Sequence, residues 1–260
     1  MHLKALVFLI LALAVAAHAD EWKKDFSVTG TPEVRVNSND GEIQVTVGNQ
    51  NTVSARVLTE GWRIGLGHVH IVDHQDGNQI ELEIHTPNFT FFSVSRHSLR
   101  VELTVPKQSN LDLTSGDGRI SLAQITGDLR LHSGDGAIEA HALDGRLNAN
   151  TSDGHIVVQG RFDQLDLHSG DGNIQAEIAP GSKMQSSWTV RSGDGGVRLR
   201  LPQNFAANLD LRTGDGHITL DFPVAVSGRL NNSDIRGTRN GGGQLLEVRT
   251  GDGSINLERE

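Results

Sequence analysis

The chain has 260 residues, a formal net charge of −9 with neutral histidines, 30 glycines and no cysteine. The absence of cysteine excludes disulfides, thiol nucleophiles, cysteine-metal sites and a lipoprotein anchored through a cysteine. The acidic balance argues against nucleic acid and anionic lipid surfaces as partners, because both require a basic footprint.

Residues 1–19 have the composition of a secretory signal peptide. Lys4 precedes an apolar run that ends at Ala17, and Ala17-His18-Ala19 forms an A-x-A-type cleavage site. A retained membrane anchor is the alternative, but about a dozen apolar residues are short of the roughly 20 that span a bilayer. We predict cleavage after Ala19, no stable membrane insertion afterwards, and a periplasmic, cell-surface or secreted protein of charge about −10 once Lys4 is lost.

Residues 20–110 are predicted to form a first repeat unit and an irregular β cap. Val34 and Val36 stand six and four residues before Asp40, the spacing that recurs later in the chain. Alternating apolar and polar residues predict further strands at 68–72, 80–84 and 99–105. Because the end of a repeat array exposes unpaired strand edges, we expect it to be covered by three aromatic side chains of one loop, Phe89, Phe91 and Phe92.

Residues 111–260 contain a repeated tetrad of the form Ser/Thr-Gly/Ser-Asp-Gly. Four copies follow one another at steps of 18 residues, and the later steps are 23, 21 and 37 residues. Apolar residues stand six and four positions before each aspartate, and three and five positions after it, so each copy predicts two strands with one buried face. The tetrad aspartates are Asp117, Asp135, Asp153, Asp171, Asp194, Asp215 and Asp252.

The stretched steps predict irregular segments between copies. Segments 180–183 and 202–204 each begin with proline and read as bulged corners. The step of 37 residues is nearly two periods, and Ser233-Asp234-Ile235 falls where a degenerate copy would lie.

Two architectures could use this unit. In a meander, Asp-Gly would be the tight turn of a hairpin; in a β-solenoid it would be the corner of a coil whose rungs stack in parallel. A coil of 18 residues places like residues on top of one another, as in the column Ile120, Ile138, Ile156 and Ile174. The column favours an all-β, single-domain parallel β-solenoid with Gly-Asp-Gly corners.

These motifs resemble a bacterial family of putative adhesins. The resemblance rests on Asn39-Asp40-Gly41 near the start, Leu-Thr-Val-Pro at 103–106, the serial tetrads, and Gly241-Gly242-Gly243 before the last copy. It covers about residues 26–258 and implies a toastrack β-solenoid. The family has no known function, although some members act in cell-envelope stress responses, and the resemblance supplies no catalytic residues.

The aspartate column has two interpretations. Stacked carboxylates about 4.8 Å apart repel by roughly 1 kcal/mol per pair in water, and Ca²⁺ held between corners would remove that repulsion. In calcium-binding nonapeptide repeats, however, aspartate lies two residues before the apolar position and in both half-turns. Here it lies three before and in one half-turn only. The structural alternative is that each aspartate accepts backbone N–H groups within its corner while the glycines adopt positive φ.

Two other columns accompany the aspartates. Ser or Thr stands two residues before each, and we expect a ladder of hydroxyls bonded to the corner backbone. Residues three before it should point outward, and the later ones should place a cation near the aspartates. This second column consists of Thr114, His132, Asn150, His168, Arg191, Arg212 and Arg249.

Histidines and tryptophans supply the remaining candidate sites. His68 and His70 would share one face of a strand and could bind Zn²⁺ or Cu²⁺ if His74 folds back, although exposed histidines at this spacing are common. Trp62 lies in a predicted loop and is a candidate sugar platform or a cap-packing residue. Trp22 is a weaker platform candidate, and Trp188 occupies an apolar column and is expected in the core.

Three function classes remain open. The first is a non-catalytic exported envelope protein whose flat faces bind a protein, a glycan or a second copy of the chain. The second is a polysaccharide-active enzyme, which the even repetition of the aspartates disfavours, because catalytic sites usually break a pattern. The third is a module ordered by Ca²⁺. No other cofactor is expected.

Overall fold

A computed structural model describes residues 19–65, 68–87, 97–227 and 231–260. Residues 1–18 of the predicted signal, and Phe89, Phe91 and Phe92, lie outside these ranges. Within them the chain is entirely β, forms one 21-stranded sheet and contains no helix. Consequently no helix in the described ranges is long and apolar enough to cross a membrane.

Most of the 21 strands alternate between buried and more exposed residues. In chain order they are β1 (Ala19–Ser27), β2 (Glu33–Ser38), β3 (Glu42–Val47), β4 (Thr52–Glu60), β5 (His70–Asp76), β6 (Gln79–His85), β7 (Ser98–Val105), β8 (Asn110–Ser115), β9 (Ile120–Ala123), β10 (Thr126–Ser133), β11 (Ile138–Thr151), β12 (Ile156–Ser169), β13 (Ile174–Ile178), β14 (Trp188–Ser192), β15 (Val197–Leu201), β16 (Ala207–Thr213), β17 (Ile218–Leu220), β18 (Ala225–Val226), β19 (Asp234–Arg239), β20 (Leu245–Thr250) and β21 (Ile255–Arg259).

Most strands fall into two rows, one on each side of the tetrads. The leading row consists of the strands that end at a tetrad, such as β8, β10, β14 and β20. The trailing row consists of the strands that begin just after a tetrad, such as β9, β13, β15 and β21. The 14-residue strands β11 and β12 take part in both, so the rows are continuous. Inward side chains of the two rows form one apolar core from Phe26 to Leu257.

The register between neighbouring strands matches the 18-residue period. Leu129 of β10 is paired in parallel with Leu111 on one side and Leu147 on the other. In the trailing row, Ile138 is likewise paired in parallel with Ile120 and Ile156. Like residues lie beside like residues, which excludes hairpin pairing across these tetrads and explains why each apolar column stays apolar.

The spatial order of the strands differs from their order in the chain at both ends. β20 lies between β14 and β16, and β21 lies between β15 and β17, so the last copy of the repeat is inserted between two earlier ones. At the other end, β2 lies between β6 and β8, and β3 between β7 and β9. The tetrads therefore follow the spatial order Asp40, Asp117, Asp135, Asp153, Asp171, Asp194, Asp252, Asp215.

Antiparallel strands close both ends of the rows. At the N-terminal end β1 pairs with β4, β4 with β7, and β5 with β6; at the C-terminal end β19 pairs with β16, and β18 with β19. The predicted degenerate copy at Ser233-Asp234-Ile235 is therefore wrong. Asp234 opens the antiparallel strand β19 opposite Arg212. The segments that begin at Pro180 and Pro202 are irregular connections between strands.

Candidate functional site

Buried Ser and Thr hydroxyls link each tetrad to its neighbour. Thr151 Oγ1 donates to the Gly136 carbonyl at 3.0 Å and accepts the backbone N–H of Gly154 at 3.1 Å. The same donation to the neighbouring tetrad recurs through Ser115, Ser133, Ser169, Ser192, Thr213 and Thr250. The predicted hydroxyl ladder is confirmed, and it satisfies backbone groups that would otherwise be buried without partners.

The second glycine of each tetrad is required by close approach of the neighbouring backbone. A Cβ on Gly154 would lie 2.1 Å from the Gly136 carbonyl oxygen, and one on Gly172 would lie 2.0 Å from that of Gly154. The prediction that these glycines adopt positive φ is wrong, because only Gly41 of the first copy does so. Ser152 shows that the first glycine position of a tetrad can accept a side chain.

The seven tetrad aspartates project into solvent. Each is exposed, and no hydrogen bond or ion pair to these seven carboxylates occurs within the described ranges. The expectation that they accept backbone N–H groups in their own corners is met only by Asp40, whose Oδ1 accepts the N–H of Gly41 at 2.6 Å. Exposure to water keeps the effective dielectric high and limits their mutual repulsion.

Among the described residues, no group of three or more His, Asp or Glu side chains is arranged to hold a metal ion. The predicted triad of His68, His70 and His74 is therefore wrong: β5 carries His70 and His74 as exposed side chains, with His74 opposite Glu81. Calcium binding between neighbouring aspartates stays a prediction. Two carboxylates do not supply the roughly six to eight oxygen ligands of Ca²⁺, so backbone or water oxygens would have to complete the site.

The cations three residues before the aspartates bind other carboxylates. Arg191 and Arg249 both contact Glu247 Oε1, at 2.6 and 2.9 Å, and Arg212 contacts Asp210 at 3.0 Å. The expected pairing with the tetrad aspartates is wrong. For Arg249 and Arg212 the acidic partner lies two residues earlier on the same strand and face, because side chains alternate along a strand. Arg191 instead reaches Glu247 on the neighbouring strand β20.

The three tryptophans are built into the protein interior to different degrees. Trp188 is fully buried, as predicted, and its ring lies 5.4 Å from that of Phe205. Trp62 is only 7% exposed and stacks on His97 at 5.0 Å, so the sugar-platform hypothesis is wrong and cap packing is correct. Trp22 is partly buried against the core.

The outer faces of both rows are polar. Among the described residues, the exposed large hydrophobic side chains are Val47 and Val72. A ligand would therefore meet hydrogen-bonding and charged groups. This surface lacks a side chain at one position that the sequence analysis did not single out. Gly196 follows the Asp194 tetrad, whereas every other tetrad is followed by a residue with a side chain. The sequence signal was visible as Gly-Asp-Gly-Gly.

At Gly196 the trailing row has a hollow of about 320 Å³. Its polar lining comes from β13, β15, β21 and the residues just before them: Asn173, Gln175, Arg198, Ser254 and Asn256. This hollow is the candidate binding site.

Several solved structures are similar to the chain at low sequence identity. A "putative adhesin" from Bacteroides fragilis is 13% identical, with a TM-score of 0.47, over 91% of this chain and 96% of that one. A "putative cell adhesion protein" from Clostridium sporogenes is 13% identical, with a TM-score of 0.40, over 94% and 100%. A "putative lipid binding protein" from Parabacteroides distasonis is 14% identical, with a TM-score of 0.48, over 93% and 98%.

No curated protein sequence matches the chain. A family model does match, over residues 31–162 and again over 64–258, and these overlapping ranges include nearly all of the strands described above. Neither the family description nor the three structure names gives an enzymatic activity. The chain belongs to the toastrack family DUF4097.

Proposed function

We propose that this protein is a non-catalytic, exported binding module of the cell envelope. The main support for this proposal is that a stacked apolar core holds polar outer faces, on which hydrogen-bonding side chains of neighbouring strands lie at paired positions. Such a surface can bind an envelope protein, a glycan or a second copy of the chain without any catalytic group. The names of the similar structures point to binding rather than catalysis.

We infer further that the rows form a rigid β-solenoid of about 18-residue rungs with Gly-Asp-Gly corners. The parallel pairing of residues 18 apart, the hydroxyl bonds between tetrads and the close glycine contacts support this inference. In this account residues 111–260 are the regular part, and residues 20–110 supply one rung and the cap.

An enzymatic function would need a nucleophile or acid–base pair in a pocket. The tetrad hydroxyls are buried and bonded to backbone carbonyls, so they are structural groups. The tetrad aspartates repeat evenly on an exposed ridge. A calcium-ordered module is the second candidate, favoured by the exposed and unpaired carboxylates of neighbouring tetrads.

Export is tested by expressing the full chain in a Gram-negative host and measuring the intact mass of the protein in each cell fraction. We expect a species that begins at Asp20 outside the cytoplasm. A full-length chain that stays in the cytoplasm would contradict export, and a Lys4→Glu change should reduce processing.

Binding is tested by co-sedimentation of the mature protein with washed envelope fragments from bacteria, with empty-buffer sedimentation as the control. Saturable retention in the pellet is expected. Retention that does not saturate, or none at all, would overturn the binding function. Treating the fragments with protease, or separately with polysaccharide-degrading enzymes, identifies which chemistry carries the binding.

A further inference from the structure

The glycine at the hollow is not required by the backbone. A Cβ on Gly196 would meet the Ser254 carbonyl oxygen at 3.3 Å and Asn173 Oδ1 at 3.5 Å, and its φ is not in the left-handed region. The preceding Gly195 differs sharply, since its Cβ would lie 2.2 Å from the Gly172 carbonyl oxygen. For a Cβ at position 196, the neighbouring atoms would have to shift by only a few tenths of an ångström. The close stacking of neighbouring strands therefore does not explain why this residue is glycine.

The missing side chain opens the hollow between two neighbouring strands. The Ile174 N–H donates to the Gly196 carbonyl, and the Val197 N–H donates to the Ser254 carbonyl, which fixes Gly196 between its neighbours on each side. Asn173 Oδ1 accepts the N–H of Gly196 at 2.7 Å. This bond orients the Asn173 amide and leaves its NH₂ group available at the rim.

Three side chains form an ordered row along the floor of the hollow. Gln175, Arg198 and Asn256 occupy paired positions on β13, β15 and β21. Strand spacing places their Cα atoms about 4.8 Å apart. Arg198 contacts Glu258 Oε1 through Nε at 3.2 Å, so its guanidinium is oriented while its side chain stays half exposed. Carboxamide groups flank it on both sides.

The lining combines one cation with neutral hydrogen-bonding groups. The carboxylate of the neighbouring Glu258 is shared between Arg198 and Arg200, so these three side chains together carry one positive charge. Arginine presents paired donors that match a carboxylate, and carboxamides and a hydroxyl can donate to and accept from sugar hydroxyls. A volume of about 320 Å³ lies at the lower end of ligand sites. It fits one or two sugar units better than a folded protein surface.

We propose that the Gly196 hollow binds an acidic sugar residue within a glycan chain, with the sugar carboxylate on Arg198 and its hydroxyls on Gln175, Asn256 and Asn173. This inference rests on the proposed binding function and names its ligand class. Because aromatic side chains do not line the hollow, a single site binds weakly, with a dissociation constant on the order of 1 mM. Repeated acidic units along an envelope polymer would raise the local concentration of ligand at this one site.

The test is a titration of the mature protein, observed by amide NMR, with oligogalacturonates and with neutral galactose oligomers of equal length. We expect shifts of residues around Gly196 with the acidic oligomer only. The Gly196→Ser variant should lose at least tenfold in affinity with an unchanged melting temperature. Ala137→Ser, at the equivalent position of another tetrad, should bind like the wild type.

Arg198→Gln keeps hydrogen bonding at the floor and removes the charge, so it should abolish the preference for the acidic oligomer. Equal binding of neutral and acidic oligomers, or wild-type affinity in Gly196→Ser, would overturn the proposal. Saturable retention by envelope fragments without oligosaccharide binding would overturn this inference and leave the binding function intact. Loss of envelope retention itself would instead overturn the proposed function.

Discussion

A glycine inside a tetrad and the glycine that follows one differ in how closely the neighbouring backbone approaches them. Gly154 is buried, and a methyl group there would overlap the Gly136 carbonyl. We predict that Gly154→Ala destabilises the protein by about 1–3 kcal/mol, the usual cost of overpacking. Gly196→Ala should change stability by less than about 0.5 kcal/mol. Urea unfolding of both variants checks this, and equal midpoints would contradict the close-approach explanation.

Each ladder hydroxyl should contribute more than an ordinary surface hydrogen bond. Thr151→Val keeps the shape and removes a group that donates to a carbonyl and accepts the Gly154 N–H. Leaving buried backbone groups unpaired should cost about 1–3 kcal/mol. Ser152→Ala, one residue away and exposed, is the matched control and should be neutral. A neutral Thr151→Val would show that the ladder is incidental.

The sequence predicted the ladder but not the role of the aspartates or the glycines. Ser and Thr two residues before each aspartate point inward by simple alternation, so their burial could be inferred. The glycine requirement depends on the distance to a neighbouring backbone, which no local pattern reveals. The partner of Arg191 was missed because Glu247 lies on a strand inserted from 56 residues away in the chain.

At the scale of elements, the N-terminal strand β1 is held partly by a carboxylate. Asp20 accepts the backbone N–H of Ile64 at 2.9 Å. This hydrogen bond, with a second from the N–H of Glu21, lowers the pKa of the Asp20 side chain below its usual value. The stability that the ionised Asp20 side chain adds is therefore fully present above its pKa in the unfolded chain, about 4. That stability is lost as the pH falls through the lower pKa of the folded protein.

We predict that β1 loosens on acidification below about pH 4 before the central strands do. Hydrogen exchange of the peptide covering residues 20–27, measured at pH 6 and pH 3 and corrected for intrinsic rates, should show this loosening. Asp20→Asn should already be loosened at pH 6 and respond less to acid. An unchanged pH response in that variant would assign the effect to other groups, such as Glu21 and its contact with Arg56.

Insertion of the terminal copies into the stack could not be predicted from sequence. Leu246 and Val248 of β20 belong to the same apolar columns as every other copy, so they are compatible with several positions. The parallel register could be inferred from the 18-residue period. Which strands become neighbours depends instead on where the chain re-enters the rows after the antiparallel strands at each end. The step of 37 residues was a visible signal, and its cause is the excursion through β17, β18 and β19.

At the scale of the whole molecule, the rows should be stable without metal. Neighbouring tetrads are joined by buried hydroxyls and backbone bonds, and their carboxylates remain solvated. We predict that the melting temperature of the mature protein in EDTA differs little from that in millimolar Ca²⁺. A large increase with Ca²⁺ that Asp135→Asn combined with Asp171→Asn abolishes would establish a metal ladder instead.

Both binding proposals depend on a rigid stack in which the first and last copies of the repeat are interior. Hydrogen exchange of the mature protein tests this directly, because interior strands open only with the global free energy of unfolding. We predict that peptides from β2, β3, β20 and β21 exchange as slowly as those from β11 and β12, while β5 and β18 exchange fast. Exchange that becomes steadily faster toward both chain ends would contradict the inserted order and the rigid surface built on it.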